Sequence, residues 1–298
     1  MARGSSVAIS AGYRQRGQLE MSFERFRGHR LAMVALVTVL ALVLLAAFAP
    51  IVSPYDPNKT DLSSIFEAPS VAHPMGTDSL GRDLATRVLF GGRVSLAVGL
   101  LAALLALTLG TLVGAVAGFY GGLVDGVLMR LVDVLLSIPR LFLLVLLAVV
   151  FGGSVLTVIL VLAALSWMRT SRIVRATVLS LKGREFVEAA RSIGARDARI
   201  VIRHLLPNTV APIVVAATLG VAGAIIAEST LSFLGLGIQK PTSTWGNMLT
   251  DATTDMSQAP WVAIFPGIAI FLAVVSINFV GDGLRDALDP RHAAGKPR

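Results

Sequence analysis

Three ionisable residues stand inside runs that are otherwise apolar: Asp133, Arg140 and Glu228. A charge in such a run is costly unless it faces protein or water, so each is a candidate for an ion pair, a ligand contact or a place on a translocation path. Asp133 and Arg140 are seven residues apart and nearly on one helical face, which permits a pair between them; a pore-facing Arg140 is the alternative. Glu228 could receive a cationic ligand group or bond locally. Arg130 is expected to snorkel toward the nearer interface.

Other chemistries lack their residues. The chain has no cysteine, which removes disulfides, thiolate metal sites and cysteine nucleophiles. His29, His73, His204 and His292 share no ligand spacing, so no metal site is expected. No lysine sits in a Gly-x-x-x-x-Gly-Lys-Ser/Thr loop, so no nucleotide is expected on this chain. No nucleophile–base pair of an intramembrane enzyme is evident either.

A second feature is built for contact. Within 175–207, Phe186, Ala189, Ala190 and Ile193 recur at i, i+3, i+4, i+7 and predict one apolar helix face. Glu185 and Glu188 fall early in that helix, where its dipole favours acids. Gly194 suits the left-handed residue that ends it. Asp197 is a suitable N-cap for a second short helix, which Leu206-Pro207 ends. Elsewhere, Gly110, Gly114, Gly118 and Gly122 form a stripe at four-residue spacing, suited to close helix packing or to a contact that moves.

The elements that position these residues follow from composition. Of 298 residues 55% are hydrophobic and 15% charged, against about a quarter charged in soluble domains. Mean hydropathy is +0.77. Long apolar runs separated by charged clusters predict an all-α, polytopic membrane protein, because lipid offers the backbone no hydrogen-bond partner and helices supply their own. No alternating ten-residue pattern of an outer-membrane barrel is present. Six runs suffice to cross ~30 Å of hydrocarbon: 31–52, 94–120, 126–150, 151–168 (after a tight Gly152-Gly153 turn), 209–231 and 261–280. The first is read as an uncleaved span and not a signal peptide, being long and preceded by 30 residues.

The net charge of +8 is one-sided. Six Lys or Arg residues lie in 1–30, nine between Arg169 and Arg203 and four from Arg285 onward, against five in 53–93 and 232–260. Positive loops stay cytoplasmic, so both termini are expected inside, and the basic character reflects topology, not a nucleic-acid partner. The expected organisation is a cytoplasmic segment 1–30, a first span 31–52, an extracytoplasmic segment 53–93, a five-helix core 94–284 and a cytoplasmic tail 285–298. The core includes the inner loop 175–207 and an outer loop 232–260.

Several stretches resemble one family. Glu188-Ala189-Ala190, then Gly194, then Leu205-Leu206-Pro207 is similar to the "EAA" loop of ABC importer permeases, with His204 where the family usually has Ile. Gly76-Thr77-Asp78 with Gly81-Arg82-Asp83, the 231–237 stretch followed by Trp245-Gly246, and 281–290 resemble the C-type subunits of dipeptide and oligopeptide permeases. The resemblance implies a type I importer permease fold in the cell membrane, forming half of a heterodimeric pore for short peptides. It also implies two cytoplasmic ATPases, which carry ATP and Mg, and an extracytoplasmic binding protein. The 185–207 element would be the ATPase-coupling site. Glutathione and nickel importers share this architecture and remain alternatives. An ion-coupled secondary transporter is the rival from another class; it needs ionisable groups around a central site and usually inverted repeats, and no repeat is visible here.

Overall fold

A computed structural model describes residues 18–288. The charge count within 1–17, the tail from 289 and the Asp289-Pro290 pair lie outside the described residues. The first helices are α1 (Gln18–Gly28), α2 (Arg30–Ala47) and α3 (Ala49–Val52). His29 starts α2 by accepting a hydrogen bond from the Ala32 N–H at 3.1 Å. Pro50 in the first turn of α3 separates that short helix from the span.

The next helix, α4 (Leu84–Tyr120), corrects the expected boundary at 94. Asp83 caps it, its Oδ2 accepting from the Thr86 N–H at 2.7 Å, and Gly121 ends it. Its 37 residues span about 55 Å, well beyond the ~30 Å hydrocarbon thickness, so the first turns, with Arg87 and Arg93, stand outside the apolar layer. Those arginines made the stretch read as loop.

The third run is two helices, α5 (Gly122–Ser137) and α6 (Arg140–Phe151), bent by 86°. Pro139 cannot donate a backbone bond and holds Ile138 extended, so the helix breaks there. The two ends of the pair lie at opposite ends of the bundle. Gly121 lies beside Lys182, whose Nζ donates to the Phe119 carbonyl at 2.9 Å. Gly153 abuts the backbone of Gly237 in the 232–260 loop, and its carbonyl accepts from the Gln239 N–H at 3.3 Å. The pair therefore crosses as one broken span and makes the sixth crossing among the described residues.

The fourth crossing, α7 (Val155–Leu181), is longer than expected. After it come α8 (Glu185–Ser192), α9 (Asp197–Ile200), a single wide turn at Val201–Leu205, and α10 (Leu206–Asn208). The last elements are α11 (Val210–Phe233), α12 (Trp245–Asp255) and α13 (Trp261–Leu288). The last of these runs past 280 into the segment assigned to the tail.

The glycine stripe explains the centre of the bundle. A Cβ on Gly110, Gly114 or Gly118 would meet the carbonyl oxygens of Trp167, Ser171 and Arg175 at 2.6, 2.4 and 2.9 Å. Only glycine lets α4 and α7 run backbone against backbone. Gly122 has no such neighbour and is not part of the contact. Helix α11 packs on α4 and α13, and α2 packs on α13.

Candidate functional site

The chain carries chemistry at both ends of the bundle and at the break in its third crossing. At one end, α8 and α9 sit on the α4–α7 pair. Val187, Ala190, Ile200 and Leu205 are buried in one cluster with Ala115, Phe119, Val174 and Val178. The Arg191 guanidinium lies 5.7 Å from the centre of the Phe119 ring, at the end of α4. Gly194 ends the helix at φ +80°, a conformation that strains any residue with a Cβ.

Two expectations here are corrected. The inward face of α8 is Val187 and Ala190; Ala189 is exposed, as are Phe186 at 39% and Ile193 at 86%. Period alone could not tell which side of an eight-residue helix the chain itself covers. Asp197 is the first residue of α9, not its cap; Arg196 holds that position and makes no side-chain cap bond. Glu185, Glu188 and Asp197 are all exposed, and Leu206-Pro207 begins the short helix before α11.

At the break, the Asp133–Arg140 pair that the spacing permits does not form. The 86° bend turns Arg140 away from α5, and its Nη2 donates to Ser166 Oγ at 3.0 Å, while Nε is buried without a partner. Asp133 pairs instead with Arg172, and Asp125 accepts two bonds from Arg175. Arg130 is exposed. The α7 partners were counted only as loop charge in the sequence. Their spacing of three residues, continuing an apolar helix, was the signal that placed Arg169, Arg172 and Arg175 on one face.

Glu228 is fully buried in α11. It accepts from Ser95 Oγ at 3.1 Å and Ser232 Oγ at 2.7 Å, and the same Ser95 oxygen accepts the Trp245 N–H at 3.2 Å. It ties α4, α11 and α12 together inside the chain, with no exposed surface of its own.

The far end is held by the motif around 76–83. Gly81, at φ +68°, leaves no room for a side chain: a Cβ would lie 1.7 Å from the Asp61 carbonyl oxygen. Gly76 turns likewise at φ +76°. Thr77 accepts the Glu67 N–H at 2.8 Å, and its carbonyl accepts the Trp261 indole at 3.1 Å. Asp78 accepts from the Leu80 and Arg82 N–H groups at 2.9 and 3.0 Å and pairs with the Arg82 and Arg87 side chains. Burial alone would raise its pKa, but the Arg87 and Arg82 guanidiniums and the backbone donors outweigh that and hold it below the usual carboxylate range. Asp251 lies 3.8 Å from both arginines and 2.7 Å from Lys240, joining 53–93 to 232–260. Trp245 is buried, donating to the Val88 carbonyl at 2.9 Å and lying over Gly92. These residues tie 53–93, the start of α4 and 232–260 into one cap, beside a cavity of about 320 Å³ lined in part by Lys240 and Asp251.

Comparison with known proteins places this geometry. Residues 107–293 match the model of the binding-protein-dependent transport system inner membrane component. The chain belongs to that family. Residues 17–69 also match the N-terminal transmembrane domain of oligopeptide transport permease C. The chain is 48% identical over 270 residues, 90% of its length and 89% of the relative's, to the glutathione transport system permease protein GsiD of Shigella flexneri serotype 5b. It is 46% identical over the same coverage to GsiD of Escherichia coli O6:K15:H31. Two inward-facing structures of the MetNI methionine ABC transporter match at TM-scores of 0.54 and 0.55. Their identities are 20% and 21%, with 68% and 67% of this chain and 96% and 94% of theirs covered, so they show the shared fold. The protein is thus a multi-pass inner-membrane permease of an ABC importer and not itself an enzyme. Membership sets the ion-coupled alternative aside.

Proposed function

We propose that this permease forms half of a heterodimeric pore that imports a short peptide, glutathione first, with both termini cytoplasmic. Its relatives near half identity are named as glutathione permeases, which is why glutathione stands ahead of the other peptides. Two cytoplasmic ATPases hold ATP and Mg, and an extracytoplasmic binding protein delivers substrate to the end formed by 53–93 and 232–260. The carrying observation is α8: one side is buried on the α4–α7 pair while Phe186 and Ile193 stand exposed in a segment too basic for lipid. A partner protein is the fitting cover for such a face. Through Phe119 and Arg191, a push on α8 reaches the end of α4 directly. Closure of the ATPases on ATP would then move α4 and α7 as one body and open the pore outward.

Copurification tests the reading. Ile193→Asp should reduce recovery of the ATPases with the permease at least tenfold, while insertion and pairing with the second permease persist. Undiminished recovery would refute α8 as the docking site.

A further inference from the structure

The broken third crossing and the face of α7 against it carry five arginines, Arg130, Arg140, Arg169, Arg172 and Arg175, and two acids, Asp125 and Asp133. Helix α7 turns Arg169, Arg172 and Arg175 toward it, and α5 answers with two acids, Asp133 and Asp125, which pair with Arg172 and Arg175. Of the rest, Arg130 is exposed on α5, and Arg140 and Arg169 stand at the break. Both line one cavity of about 200 Å³ at the break, together with Ser137 and Pro139, and neither makes an ion pair among the described residues. The start of α6 opens on the same cavity with no side-chain cap, which adds partial positive charge.

Depth sharpens the point. Arg140 bonds Ser166, next to Trp167, whose carbonyl lies against Gly110. Gly110 stands about 15 Å along α4 from its Tyr120 end, well within the apolar layer. Two guanidiniums at that level call for an anion, and their planar donor forks match a carboxylate.

We propose that Arg140 and Arg169 form an anion subsite on the translocation path that takes the carboxylate of a passing short peptide. The subsite rests on the importer reading above and names the substrate group it handles. Glutathione and its glycine amide differ in one carboxylate, so the pair of probes isolates this contact. ATP-driven uptake of both is measured in proteoliposomes holding the permease with its cognate second permease, ATPases and binding protein. Any preference of the binding protein is common to wild type and variants and cancels in the ratio of kcat/KM for acid over amide. Arg140→Gln and Arg169→Gln should each lower that ratio about tenfold, leaving the amide within about twofold, and the lysine variants should recover part of it. The Arg169 side chain is exposed, so Arg169→Gln decides the matter if Arg140→Gln fails to assemble. An unchanged ratio, or an equal fall for both probes, overturns the subsite while leaving the importer reading intact. Wild-type complex that imports neither probe would overturn both.

Discussion

A Cβ on Gly114 would stand 2.4 Å from the carbonyl oxygen of Ser171, so α4 and α7 touch backbone to backbone. No side chain can yield there, because the obstacle is main chain. Gly114→Val should therefore destabilise the detergent-solubilised permease by roughly 1–3 kcal/mol. Gly126→Ala, at an α5 position with open space, should be neutral or slightly stabilising. Thermal aggregation curves of the two variants check the contrast.

Glu228 is fully buried and links α4, α11 and α12 through Ser95 and Ser232. Glu228→Ala strands the hydroxyls of Ser95 and Ser232 in the interior and should cost roughly 1–3 kcal/mol. Glu228→Gln keeps an acceptor and should cost less. The acid-to-amide uptake ratio should be the same in both, which separates this residue from Arg140 and Arg169.

Asp78 predicts a pH dependence. Its folded-state pKa is depressed, so its contribution is fully present above the unfolded value of about 4. It is lost as pH falls through the lower folded value. Asp78→Asn should thus be markedly less stable than wild type near neutrality, and the difference should shrink below about pH 4. A gap in melting temperature that persists unchanged into acid would contradict the pairing.

Topology can be tested without background, because the chain has no cysteine. Val71 is fully exposed at the proposed outer end, and Ser192 is exposed at the other. Val71→Cys should react with an impermeant maleimide in intact cells, and Ser192→Cys only after permeabilisation. Ser243 is buried beside Arg87 and is a poor labelling position despite its place in the outer loop.

The crossings were legible because uncharged runs of spanning length have one structural solution in lipid. The end of α8 at Gly194 and the packing role of Gly110, Gly114 and Gly118 were legible for the same kind of reason, a local geometry that few residues permit. The start of α4 was not, since Arg87 reads as loop until Asp78 in the preceding turn and Asp251 in the distant 232–260 loop are seen to neutralise it. Pro139 was visible, but a single break does not reveal a bend of 86° or which acid each arginine meets. The burial of Glu228 depends on Ser95, 133 residues away in sequence, and no local pattern records such a contact.

The central claim is that transport by this permease is driven by ATPases acting through α8. Proteoliposomes containing the two permeases, the ATPases and the binding protein should take up glutathione when ATP is supplied on the ATPase side. Uptake should stop when the ATPases are omitted or when Ile193→Asp replaces the native residue. Uptake that continues without ATPases, or that Ile193→Asp leaves unchanged, would contradict the account.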